Sequence, residues 1–132
     1  MNTGSTLLLT FDGLRRDRVT VELMPNLFRF MQQGSDFINA RSIFPSETRV
    51  AVTSTMTGSP PGAHGVVANQ FIHPVRPNAP FRTSEWEDLE LAAQAGQLLD
   101  CQTMGERMAA AGRTMAVVST ATKGASRMMN SS

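Results

Sequence analysis

Apolar positions along the chain fall into short unbroken runs and longer stretches with helical spacing. Residues 6–11 (TLLLTF) form an apolar run that stops at Asp12-Gly13, the signature of a buried strand entering a turn. Beyond a polar, arginine-rich loop, Pro25 opens a segment in which Leu27, Phe30 and Met31 are spaced for one helical face, with Gly34 as its cap. Residues 37–44 (FINARSIF) alternate in part and stop at Pro45, predicting a second strand. Residues 46–56 (SETRVAVTSTM) start with cap-type residues and carry Val50, Ala51 and Met56. They predict a helix, although Val and Thr lower its propensity. Gly58-Ser59-Pro60-Pro61-Gly62 is a loop, and residues 65–72 are expected to be extended. Pro74, Pro77 and Pro80 predict an irregular surface excursion.

In the last third, Thr103-Met104-Gly105-Glu106 has the capping-box pattern, and Gly112 closes the helix that it starts. Residues 114–120 (TMAVVST) predict another buried strand, and Lys123-Gly124-Ala125 a further helix start that runs on toward Asn130, Ser131 and Ser132. Apolar strands alternating with helices define an α/β class: a mostly parallel sheet flanked by helices.

Composition narrows the functional classes. The 132 residues are 41% hydrophobic and 17% charged, which excludes a disordered, collagen-like or coiled-coil chain. A formal charge of +1 gives no electrostatic case for a nucleic-acid scaffold or an anionic membrane. Eleven of the twelve cations are arginine, Lys123 being the exception. A single cysteine, Cys101, forms no intrachain disulfide, and no apolar run is long enough for a membrane span. No basic residue precedes residues 7–9 as a signal peptide would need, so a cytoplasmic location is expected. The pattern carries no reading of oligomeric state.

Ligands of an open parallel sheet gather beyond the carboxyl ends of its strands, where Asp12 and Thr48 stand. Taken alone, Asp12 is a turn aspartate and Thr48 a cap residue. Together they belong to a longer pattern: LLLTFDGLRRD (7–17), MPNLFRFMQQG (24–34), FPSETRVAVTSTMTGSPPGAHGVVAN (44–69) and AAGRTMAVVSTATKGAS (110–126). This pattern resembles the alkaline phosphatase superfamily and, within it, the type I phosphodiesterase/nucleotide pyrophosphatase family. The resemblance implies an alkaline-phosphatase-like core and a metal-dependent hydrolase of phosphodiester or pyrophosphate bonds acting on a small phosphate-ester substrate. It places Asp12 as the first aspartate ligand of a pair of divalent metal ions, zinc by the family pattern. Thr48 takes the position of the nucleophile, whose oxygen also contacts a metal. Asn69, twenty-one residues after Thr48, matches the asparagine that contacts a phosphoryl oxygen. The residue types suit this chemistry: a threonine hydroxyl is a weak nucleophile that needs its alkoxide stabilised, and an amide can donate to oxygens that gain charge.

Other polar residues have simpler readings. His64 belongs to the Gly62-Ala63-His64-Gly65 turn, His73 stands in the proline-rich stretch, and Cys101 is a buried or incidental thiol. Trp86 is a partly buried aromatic on an acidic surface segment, and Arg15, Arg16 and Arg18 belong to a solvated loop. Arg49 is the better phosphate contact, by adjacency to Thr48. Two metals need about six to eight protein ligands, and no Asp or His follows Asp100. Residues 1–132 are therefore expected to be the amino-terminal, nucleophile-bearing part of one larger catalytic domain, with the chain by itself inactive. Two rival readings are a phosphonoacetate-hydrolase-like enzyme cleaving a carbon–phosphorus bond and a non-catalytic α/β fragment.

Overall fold

The computed structural model describes residues 4–129, which divide into two units, Met1–Ala40 and Arg41–Ser132. In the first unit, Gly13 takes the positive φ (+78°) that the Asp12-Gly13 turn requires, and the Leu14 N–H closes the turn on the Phe11 carbonyl. A 3-10 turn at Arg16–Arg18 follows, then helix α1 (Pro25–Gln32) with its proline in the first helical turn. Leu27 and Met31 are half-buried, whereas Phe30 is exposed.

The second unit holds the core. Helix α2 (Thr48–Thr57) is rich in β-branched residues. The hydroxyls of Thr53, Thr55 and Thr57 each donate to the carbonyl four residues back, at 2.8 Å, so their polar atoms are satisfied within the helix. Gly58 ends the helix in the left-handed conformation. Helix α3 (Pro61–His64) leads to a two-stranded antiparallel sheet, β1 (Gln70–His73) and β2 (Arg76–Arg82). Helices α4 (Trp86–Gln94), α5 (Met104–Ala110) and α6 (Lys123–Met129) complete the unit. Val50, Val66, Phe81, Leu89, Ala92 and Met128 form the buried centre. The capping box at Thr103 and Glu106 starts α5 as the sequence predicts. Residues 1–3 and 130–132, including the chain end at Asn130, Ser131 and Ser132, lie outside the described residues.

The expected parallel sheet is corrected. Residues 6–11, 37–44 and 114–120 are irregular, and Leu7, Phe37 and Val118 are exposed. An apolar run becomes a strand only where another strand pairs with it, and among the described residues the paired strands are β1 and β2. The class is mixed helix and sheet. The proline-rich stretch is also corrected, from excursion to strand β2. Its pairing runs Gln70 to Arg82 and Phe71 to Phe81, then slips to His73 opposite Arg76. Pro77 and Pro80 fall within that slipped part of an edge strand, where a missing N–H costs no ladder bond. The acidic surface segment around Trp86 is the start of helix α4, where Trp86 and Glu87 are exposed and Asp88 is buried.

Candidate functional site

Thr48 is the first residue of α2, and Glu47 before it is the extended N-cap. The Glu47 side chain does not cap the helix. Its Oε2 instead accepts the backbone N–H of Asn69. The same residue is held from its other end: the Thr83 backbone N–H and Oγ1–H both donate to the Asn69 carbonyl, at 3.0 and 2.8 Å. Thr83 is fully buried, and its Oγ1 accepts the Nε–H of Arg49 at 2.7 Å. The residues on either side of Thr48 therefore both lead to Asn69, one through its amide and the other through Thr83. Two positions twenty-one residues apart are joined at one corner of the fold.

The side chain of Asn69 points inward, and its Oδ1 is buried without a hydrogen-bond partner among the described residues. An unpartnered buried amide is costly, and a ligand that satisfies it is a ready explanation. The two ends of the amide are nearly isosteric, so a half-turn presents a donor at the same place. Thr48 opens α2, whose first turn carries backbone N–H groups and the positive end of the helix dipole, the usual receptor for a phosphoryl group.

His64 is structural, in line with the sequence reading. It is fully buried; its Nδ1 accepts the Val66 N–H at 3.2 Å, and its Nε2 lies 2.8 Å from Ser54 Oγ. Nδ1 acts as an acceptor, so the proton sits on Nε2 and is donated to the serine. Burial pushes its pKa below the ordinary 6.5. Gly65, at φ +85°, allows the close approach of Asp100: a Cβ there would lie 2.6 Å from Asp100 Oδ2. His73 closes its own turn, Nδ1 accepting the Val75 N–H while the ring stacks on Phe81. Cys101 donates to the Ala63 carbonyl. Arg127 lies over the Trp86 ring. In the first unit Arg15 pairs with Asp17 and Arg16 with Asp36, as expected of a solvated loop.

Asp12 is exposed in the first unit, at its predicted turn. Among the described residues no group of three or more His, Cys, Asp or Glu side chains converges to hold a metal ion. The donors present do not make a metal pair by themselves. Nor is any described helix long and apolar enough to cross a membrane. Sequence reasoning missed Glu47 and Thr83. Glu47 carried one signal, an N-cap position filled by a residue that is not a favoured cap; Thr83 carried none.

The family model for type I phosphodiesterase / nucleotide pyrophosphatase matches residues 6–126. The chain belongs to this family. The family match takes in Asp12, Thr48, Asn69 and Thr83 together. A curated relative, the bis(5'-adenosyl)-triphosphatase enpp4 of Xenopus laevis, is 38% identical over 70 residues. That segment covers 53% of this chain and 16% of the relative, so the chain spans a minor part of the protein it matches. No solved structure matches the chain.

Proposed function

We propose that this chain carries the nucleophile-bearing, amino-terminal portion of a metal-dependent hydrolase of phosphodiester or pyrophosphate bonds. Thr48 is the nucleophile and Asn69 a phosphoryl-oxygen ligand. The observation that supports this most is the double hold on Asn69, by Glu47 before Thr48 and by Thr83 through Arg49 after it. Such a hold fixes two reacting partners relative to each other before substrate arrives, which is the source of most positional catalysis.

In this reading the phosphoryl group sits over the first turn of α2. Thr48 Oγ loses its proton to solvent and attacks phosphorus in line, the leaving oxygen departs with the electron pair of its P–O bond, and water then cleaves the phosphothreonine P–O bond, returning a proton to Thr48 Oγ. Asn69 contacts the oxygens on which charge accumulates. Asp12 and Thr48 are the positions this chain offers to a pair of divalent ions, zinc by the family resemblance. The described donor set does not complete that pair. The relative's name makes bis(5'-adenosyl) triphosphate the first substrate to assay.

The test is hydrolysis of that substrate by protein competent for turnover. Thr48→Ala is expected to abolish it and to leave no phosphothreonine in mass spectra of quenched samples. Asn69→Ala is expected to lower kcat by about 10²–10³-fold, the usual cost of one donor to a developing oxyanion. Activity retained by Thr48→Ala would refute the nucleophile.

A further inference from the structure

Arg49 is tethered by one nitrogen only. Its Nε–H donates to Thr83 Oγ1 at 2.7 Å, and among the described residues no hydrogen bond or ion pair takes up Nη1 or Nη2. The residue is half-buried, so its terminal fork is neither sealed in the core nor loose in solvent. A guanidinium fixed at Nε loses less rotamer freedom when its two remaining nitrogens close on an anion, and its fork matches phosphate geometry. Arg49 is also next to Thr48 in the first turn of α2, where the helix already favours negative charge. Thr83, which holds Arg49, is fully buried and bonded twice to the Asn69 carbonyl, so the guanidinium shares one rigid support with Asn69.

We infer that Arg49 is a substrate-binding residue of the Thr48 site, its Nη1 and Nη2 taking a phosphate group of the substrate, and that Thr83 is the residue that positions it. This rests on the reading of Thr48 as the nucleophile and adds to it the group that neutralises substrate charge from within this chain. A donor pair to an anion is worth at least tenfold in affinity. Lysine keeps the charge and loses the fork, so Arg49→Lys recovers only part of the loss.

The experiment is calorimetric titration of pyrophosphate into the full chain, together with thermal unfolding of every variant to confirm the fold. Arg49→Ala is expected to weaken binding tenfold or more, and Arg49→Lys by an intermediate factor. Thr83→Val, which frees the guanidinium, is expected to weaken binding severalfold, and Thr83→Ser, which restores the hydroxyl, to return it to within twofold of the starting protein. Arg107→Ala removes the same charge from an exposed position on α5 and is expected to change nothing. The inference is overturned if the chain does not bind pyrophosphate, if Arg49→Ala binds within twofold of it, or if Arg107→Ala loses as much as Arg49→Ala. The outcome is separate from that of the nucleophile: hydrolysis surviving in Thr48→Ala refutes Thr48 whatever the titrations read.

Discussion

Gly124 is the position where one methyl group should be felt most. A Cβ there would lie 1.7 Å from the Thr83 carbonyl oxygen, 2.8 Å from its carbon and 3.2 Å from Ser84 Cα. All three are backbone atoms, so no side chain can rotate away. A carbon tolerates a carbonyl oxygen at about 3.3 Å, so α6 must retreat by roughly 1.6 Å in Gly124→Ala. Met128 and Ala125 on the same helix are buried, and that retreat opens the space they fill. Overpacking of this kind costs about 1–3 kcal/mol. If α6 instead lifts off, the lost burial of a methionine side chain costs about 1.5–3 kcal/mol. Either route puts the destabilisation at about 1–3 kcal/mol, or roughly a 4–12 °C fall in unfolding midpoint for a domain of this size. The assay is urea and thermal unfolding followed by circular dichroism, with Gly62→Ala as control. Gly62 lies in α3 with nothing within 4 Å of its added Cβ, so that variant should be neutral or gain up to about 1 kcal/mol. A Gly124→Ala protein within about 0.5 kcal/mol of the parent would refute the close approach of α6 to Thr83.

Three other outcomes follow from the same packing. Because burial lowers the pKa of His64 from 6.5, the unfolded chain binds the proton more readily. Its contribution to stability is full above about pH 6.5 and is lost as pH falls through the lower folded value, which urea midpoints in parent and His64→Gln will read as a pH dependence that the variant lacks. Thr103→Ala removes the capping box of α5 and should cost about 1 kcal/mol in chemical unfolding. Asp88, 4% exposed, pairs with Arg76 and accepts the Arg82 N–H at 2.8 Å. Asp88→Ala should therefore cost about 1–3 kcal/mol, because it leaves the Arg82 N–H without its acceptor, and Asp88→Asn clearly less, because the amide oxygen still accepts that N–H.

What the sequence made legible follows from the range of each signal. Helices α1, α2, α5 and α6 carry their starts within three or four residues, as Pro25, the Ser46–Thr48 stretch, the Thr103–Glu106 box and Lys123-Gly124 show. Helix α4 was equally local: Trp86, Leu89 and Ala92 recur at helical spacing, but the acidic residues between them read as surface. Strands are a different matter, because pairing joins residues far apart in the chain. The apolar runs at 6–11, 37–44 and 114–120 have strand composition and, among the described residues, no strand partner. The β1–β2 hairpin pairs through a segment with three prolines that argue against a strand. At the candidate site, Thr48 and Asn69 were visible as motif positions. Glu47 and Thr83 were not, because both act on the backbone of Asn69, whose carbonyl and N–H look alike in every sequence.

That distinction bears on how the site is built. A motif specifies side chains, yet the structure holds Asn69 by its peptide groups, and the residues that grip them come from the N-cap of α2 and the end of β2. The Asn69 side chain takes no part in that support: among the described residues its buried Oδ1 has no hydrogen-bond partner. The same economy governs Arg49, which uses Nε for support and leaves its fork. Thr83 serves both residues with one hydroxyl, donating to Asn69 and accepting from Arg49, while its carbonyl forms the seat of Gly124 on α6. A larger residue at position 124 therefore presses on the one backbone unit that supports Asn69 and Arg49 together. Substitutions there should disturb pyrophosphate binding as well as stability, whereas Thr103→Ala, which acts on α5 alone, should disturb stability only.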